Sequence, residues 1–358
     1  MLIAIIAFII LSIVAGHIVF YRQPYMKQNS TSAATLTIII PARNEAHNLP
    51  HLLHSLSKQT IEFDCIVVDD GSTDQTADIA RQYGATVLSP PQETDWQGKS
   101  AACYLGAMQA DSDLLLFLDA DTWFEKSDAL NILLSNYNGG LVSVQPYHQT
   151  RKPYEQLSVW FNLLTIIGLN IFTPVRSKHV SAFGPVVLCS KAHYQKTNGH
   201  SAIRHQLIEG FGLADIFYQA GLPVDAYLGK GIVNFRMYPD GIQSMGRGWA
   251  KHFATGAAAT ELWIMIGILY WMVGSMASLI FVIWGVAQNN LIFISALIVY
   301  SLYAWHFYTM SRRTGSFTMW TALCSSITFV YFLVIFTWSW FNTYILKKSK
   351  WKDRDINL

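Results

Sequence analysis

The stretch "DLLLFLDADTWF", Asp113 to Phe124, decides how this chain is read. Its apolar run, Leu114 to Leu118, stops at two carboxylates, Asp119 and Asp121, one residue apart. So short a run between polar residues fits a buried strand better than a helix. Carboxylates are rarely buried without a partner, so two of them at the end of a core strand call for a cation or hydrogen-bond donors.

Upstream, "LTIII" leads to "NLPHLLHSLSKQ", "CIVVDD" to "TADIARQYGA", and "ATVLS" to "KSAACYLGAMQA". Strands alternating with amphipathic helices predict an α/β fold with a doubly wound, mostly parallel sheet and flanking helices. Ligands of such sheets bind beyond the carboxyl ends of the strands. Here the first strand ends in "PARNE", the second in "DDGSTD" and the fourth in "DAD". Acids from several strands therefore converge on one crevice, where like charges repel.

Only 13% of the 358 residues are charged and 52% are hydrophobic. A soluble globular chain carries about 25% charged residues, so part of this one belongs outside water. Met1 to Phe20 holds no Asp, Glu, Lys or Arg, lacks the basic start of a signal peptide, and is followed by Arg22 and Lys27. It reads as an uncleaved N-terminal membrane anchor with the main domain on the cytoplasmic side of a cell membrane. Leu262–Ala287, Leu291–Tyr308 and Met319–Leu346 are further apolar stretches, giving a multi-pass protein. Three spans after a cytoplasmic domain would leave "SRR" (311–313) inside but put the tail "KKSKWKDR" outside, against the charge rule. The last stretch, with Ser325 and Ser326 near its middle, is expected to be re-entrant or interfacial. The organisation expected is an anchor at 1–20, a catalytic domain at 35–260 (nucleotide half 35–125, acceptor half 126–260), membrane segments at 261–346 and a basic tail at 347–358.

A net charge of +2 says nothing about nucleic acid, and no basic stripe supports such a partner, so none is expected. Cys65, Cys103, Cys189 and Cys324 are scattered without ligand spacing and read as buried free thiols. His47, His51 and His54 read as a solvated helix face. "YEQLSVWFNLLTIIGLNIF" suits either a core helix or one lying on the membrane, and "GIQSMGRGWAKHFATGA" reads as an amphipathic helix with Trp249 at headgroup level and Arg247 and Lys251 towards phosphates.

Among the motifs, "VVDDGSTDQT" carries two aspartates before its glycine, more than a capped turn needs. An acid there suits a base or ribose hydroxyl. "DAD" suits Mg²⁺ or Mn²⁺, which commonly bridges one or two carboxylates to substrate phosphates; it also suits a helix cap. "WQGKS" puts Lys99 at a helix start, an anion site, but no glycine completes a phosphate-loop pattern. "HQLIEGFGLADIFYQAGLPV" reads as a helix with Glu209 inside its apolar register, where desolvation raises a carboxyl as a general base requires.

Taken in order, "IIIPARNE", "VVDDGSTD", "GKSAACYLGA", "FLDAD" and "IEGFGLADIFYQAG" resemble the family 2 glycosyltransferases. Within them, "LVSVQPYH", "SAFGPV", "LIEGF" and "FRMYPDGIQS" with "GWAKH" are similar to the membrane-bound group acting on 4,4'-diaponeurosporenoate, a carotenoid acid. The resemblance implies a GT-A fold and a UDP-sugar donor. Asp70 would contact the uracil, with Pro41, Ala42 and Glu45 bordering the nucleotide and Lys99 near the diphosphate. Asp119 and Asp121 would bind ribose and diphosphate through Mg²⁺ or Mn²⁺. Glu209 would be the catalytic base, and Arg236, Gln243, Arg247 and Trp249 would lie on the acceptor or diphosphate side. Gly210 stands where the family has a second acid, and the "QxxRW" element has extra spacing, so long processive polymerisation is not expected.

The implied reaction is inverting transfer of a sugar, glucose by resemblance, to a lipophilic acceptor. A hydroxyl acceptor needs a base, whereas a carotenoid carboxylate, with a pKa of about 4 to 5 like ordinary carboxylic acids, arrives ionised. Transfer to another lipid hydroxyl, or a degenerate sugar-nucleotide-binding scaffold, are the alternatives.

Overall fold

The computed structural model describes residues 1–29, 34–90, 96–175, 181–206, 208–258, 260–341, 348–351 and 354–357. The side chain of Lys251, residue 207 and part of the basic tail lie outside the described residues. The chain forms two compact units, an α/β unit (Pro24–Tyr147 and Lys178–Arg236) and a helical unit (Met1–Gln23, His148–Ser177 and Met237–Leu358).

The strands run β1 (Leu36–Ala42), β2 (Asp64–Asp69), β3 (Thr86–Leu88), β4 (Leu114–Leu118), β5 (Thr122–Phe124), β6 (Leu141–Gln145), β7 (Tyr147–His148), β8 (Val186–Ser190), β9 (Val224–Leu228) and β10 (Val233–Phe235). Seven of them make the main sheet in the order β3-β2-β1-β4-β8-β6-β9, parallel except for β8. The mostly parallel sheet is the expected one, and "LLLFL" is its buried centre. Its apolar run is continuous because both faces are covered. Successive side chains alternate between faces: Leu114, Leu116 and Leu118 join Ile38, Ile40, Leu52 and Leu130 in one core, while Leu115 and Phe117 join Ile39, Ala102, Cys103, Leu213 and Phe217 in the other. The second core therefore places the helices Lys99–Gln109 and Glu209–Gln219 on one face of the sheet.

Strand order reverses between β1 and β4, each next to the other through Ile39↔Phe117. That switch point is where such sheets open a ligand crevice. β8 enters antiparallel beside β4, with Leu118 opposite Val186, so the segment just before β8 lies against the carboxyl end of β4. β5 and β10 pair antiparallel, Thr122 opposite Phe235.

In the helical unit, Leu2–Val19, Leu262–Val286 and Asn290–Thr314 are long and apolar enough to cross a membrane. The first two pack so closely that a Cβ on Gly16 would fall 2.5 Å from the Trp271 ring, the kind of small-residue approach that joins membrane helices. The stretch beginning at Met319 is not one span. It breaks at Cys324 into Met319–Leu323 and Ser325–Trp340, and Ser326 Oγ donates to the Ser275 carbonyl at 2.8 Å. The sixteen described residues of Ser325–Trp340 rise about 24 Å at 1.5 Å per residue, less than a bilayer core of about 30 Å.

Segments 148–177 and 237–260, expected in the acceptor half, cluster with the helices. The cause is aromatic packing. Trp160, fully buried, meets Trp271, Phe307 and Phe329. Trp249 is likewise turned inward rather than towards headgroups: its indole stacks on Phe161 at 5.0 Å and donates to Ser158 Oγ at 3.1 Å. Gln243 and Arg247, on the same helix, are exposed.

Candidate active site

Two loops at the switch point are tied together before any acid is placed. At the end of β2, Asp69 Oδ1 accepts from the Ser72 amide at 3.0 Å, shaping the turn at Gly71. Ser72 Oγ accepts from the Asn44 amide at 2.9 Å, Thr76 Oγ1 from the Glu45 amide at 2.8 Å, and Asp74 from the Ala46 amide at 3.1 Å. Arg43 donates to the carbonyls of Asp70 and Gly71. Of the two aspartates, Asp69 is thus a turn acid. Asp70, 6% exposed, is held beside Ala42, whose carbonyl accepts its amide at 2.9 Å. Pro41, Ala42, Glu45 and Asp70 therefore share one strand-end neighbourhood.

The main chain of Asp119 is fixed from both sides. Its amide donates to the Pro185 carbonyl at 2.9 Å, and its own carbonyl accepts from Thr122 Oγ1 at 2.7 Å. Lys99 opens its helix after Gly98, whose φ of 97° favours glycine. Its Nζ lies 2.6 Å from Asp119 Oδ1 and 3.4 Å from Glu209 Oε2, and it donates to the Gly184 carbonyl at 3.4 Å. Burial acts to push the Lys99 ammonium down, but Asp119 and Glu209 outweigh it and hold it charged beyond the ordinary lysine range. Asp121 is pushed up to about 7, by burial first and then by the charges of Asp119 and Glu45.

Glu209 does not sit inside a helical register. The helix begins at Glu209, so the carboxylate stands in its first turn, where the peptide dipoles favour an anion. Burial pushes its carboxyl above the usual range, Lys99 pulls the other way, and Asp119 adds to the rise. At Gly210 an added Cβ would lie 2.3 Å from the Ala182 carbonyl oxygen and 3.1 Å from the Gly184 amide nitrogen. Backbone therefore stands where any side chain at position 210 would begin. Sequence reasoning missed this contact, although two glycines in the first turn of a helix ("EGFG") already signal a packing reason.

Lys99, Asp119, Asp121, Glu45 and Glu209 are thus brought together. Arg236, half-buried, follows β10, and Gln243, Arg247 and Trp249 belong to the helical unit. His51 stacks on Trp123 at 4.5 Å. Among the described residues, no three or more His, Cys, Asp or Glu are grouped to hold a metal. The cysteines are free, but Cys324 is exposed and Cys65 half-buried rather than both buried.

Behind the site, His200 is buried with Nδ1 2.9 Å from Tyr194 Oη, and burial, with Lys99 nearby, lowers its pKa to about 3. The unfolded chain takes up that proton near pH 6.5, so between about 6.5 and 3 it binds more protons than the native state. Stability contributed by neutral His200 is full above pH 6.5 and lost as pH falls. Thermal melts of wild type are expected to drop on acidification, and His200→Asn should flatten the drop. An identical slope in the variant would refute this.

A domain model described as glycosyl transferase family 2 matches residues 37–179. The chain belongs to the family 2 glycosyltransferases, and its fold is GT-A. Over 358 residues, 97% of this chain and 96% of the relative, it is 39% identical to the 4,4'-diaponeurosporenoate glycosyltransferase of Staphylococcus aureus strain USA300, and equally to that of strain MRSA252. Among solved structures, the mannosyltransferase PcManGT of Pyrobaculum calidifontis, in complex with GDP-Man and Mn²⁺, matches with a TM-score of 0.54 at 16% identity, covering 94% of this chain and 99% of that one.

Proposed function

We propose that this glycosyltransferase moves a sugar, glucose in the first instance, from a UDP-sugar to the carboxylate of a carotenoid acid, with inversion. The carrying observation is at Gly210, where the Ala182 carbonyl takes the room of a second acid, leaving Glu209 already paired with Lys99. Such a site suits an acceptor that arrives ionised. The relative named for diaponeurosporenoate supports the same acceptor class. The tight backbone contact also argues against a decayed scaffold, since the glycine is required where it stands.

In this reading Asp70 meets the uracil, Pro41, Ala42 and Glu45 border the nucleotide, and Lys99 faces the diphosphate. Asp119 and Asp121 would hold Mg²⁺ or Mn²⁺. The two acids fit it, because such ions take one or two carboxylates and complete their shell with phosphates and water. When bound, the ion would offset charge on the leaving diphosphate. The acceptor oxygen attacks the anomeric carbon as the bond to UDP breaks on the opposite face. Arg236, Gln243 and Arg247 are proposed to serve the acceptor or diphosphate side, whereas Trp249 supports the helix that carries Gln243 and Arg247.

Three crossings, by Leu2–Val19, Leu262–Val286 and Asn290–Thr314, with Ser325–Trp340 lying short of a full span, would return the basic tail to the cytoplasm and satisfy the charge rule. The catalytic unit would then be cytoplasmic at the cell membrane.

UDP release from UDP-glucose with Mn²⁺, compared between a carotenoid acid and lipid alcohols, tests the acceptor. Glu209→Gln should cost no more than about tenfold with the carotenoid acid, whereas an essential base contributes about 10²–10⁴. Loss by several orders would sink the ionised-acceptor reading and favour a lipid hydroxyl, for which the raised pKa of Glu209 would be apt.

A further inference from the structure

The ammonium of Lys99 lies between two carboxylates. Its ammonium is 2.6 Å from Asp119 and 3.4 Å from Glu209, with the Gly184 carbonyl at 3.4 Å. One of the two acids proposed for the metal is therefore already neutralised by a resident cation. The other, Asp121, is crowded by Asp119 and Glu45, and no three-ligand group exists among the described residues. A divalent ion arriving alone would meet a positive charge close to its own position and too few ligands.

The geometry points to Lys99 as a positioning residue that keeps the metal's place until the donor arrives. This rests on the reading of Asp119 and Asp121 as metal-holding acids. Lysine is a compact charge on a flexible four-carbon stem, and Lys99 stands at a helix start, where backbone amides also favour an anion. An incoming diphosphate offers it a new partner. As the ammonium passes from Asp119 to the diphosphate, Asp119 becomes available to the metal, and the diphosphate supplies the ligands the protein lacks. Metal entry is thereby made conditional on the nucleotide. By linkage, the nucleotide's affinity rises with metal by the same factor.

The test measures Mn²⁺ binding by electron paramagnetic resonance, with and without UDP, on the full-length protein in detergent. Wild type should bind Mn²⁺ at least about tenfold more tightly when UDP is saturating, a coupling of ordinary allosteric size. Lys99→Met and Lys99→Gln should each tighten UDP-free Mn²⁺ binding by about tenfold or more and shrink the UDP effect, although both lower transfer. Lys99→Arg, which keeps the charge, should stay weak without UDP. Far-UV circular dichroism confirms that each variant is folded, and the Gln variant answers the question if Met is not tolerated. UDP-free binding in both neutral variants no tighter than in wild type overturns the place-holding role while leaving UDP-dependent metal binding, and the proposed function, intact. No Mn²⁺ binding by wild type even with UDP overturns both.

Discussion

Asp119→Asn is expected to lower transfer from UDP-glucose to a carotenoid acid by about a thousandfold or more, with Asp121→Asn close behind. Removing one preorganised electrostatic group of an oxyanion hole costs about 10²–10³ in rate; a group on the leaving diphosphate is expected to matter as much, and Asp119 has a second task, since it anchors Lys99 at 2.6 Å. The loss should appear in kcat/KM, and the variant should no longer show Mn²⁺-dependent UDP binding. Its fold should survive, because the backbone of Asp119 is fixed by Pro185 and Thr122 through main-chain groups that the substitution leaves alone. A fall of less than about tenfold in a folded Asp119→Asn protein would remove this residue from the diphosphate site.

Gly210→Asp is the second large effect, and its direction is the informative part. It restores the two-acid pattern of the family, so motif logic alone expects a gain, above all with hydroxyl acceptors. The structure predicts a loss. Any Cβ at 210 falls 2.3 Å from the Ala182 carbonyl oxygen, and backbone yields less readily than a side-chain tip. Overpacking of this kind costs about 1–3 kcal/mol or more. The displaced segment also carries Gly184, whose carbonyl accepts from Lys99. Transfer should fall by about a hundredfold, since a 1 Å misplacement of catalytic groups can cost that much. Gly210→Ala should fall nearly as far, because the clash begins at Cβ. Thermal melts of both variants should shift down together. A Gly210→Asp protein that melts like wild type and glycosylates lipid alcohols better would overturn this account.

The sheet was legible because its physics is local. Period-2 burial on both faces forces a continuous apolar run such as Leu114–Leu118, and turn chemistry forces Gly71 after two aspartates. The meeting of Lys99 with Asp119 was legible only in part: a lysine after Gly98 announces a helix start, but its partner lies across the sheet switch point. A helix read from His205 puts Glu209 inside it, whereas residues 204–206 and 208 stand outside the helix, which starts at Glu209 itself. The Gly210 contact depends on Ala182, 28 positions earlier in the sequence, and no periodicity carries that distance. Trp249 was read from composition as an interfacial anchor, but its partners Phe161 and Ser158 lie far away in the chain. Long-range packing decided each of these cases.

The two compact units are threaded through one another along the chain, which changes unit at 23/24, 147/148, 177/178 and 236/237. During synthesis the helix Leu2–Val19 emerges before the sheet, but its packing partner Leu262–Val286 comes only after the whole sheet has been made. The sheet itself stays open until β9, residues 224–228, fills its edge position. Neither half can therefore be finished before the other is under way, and no single cut yields a contiguous soluble enzyme. Helices long and apolar enough to cross a membrane thus bracket the synthesis of the sheet on both sides.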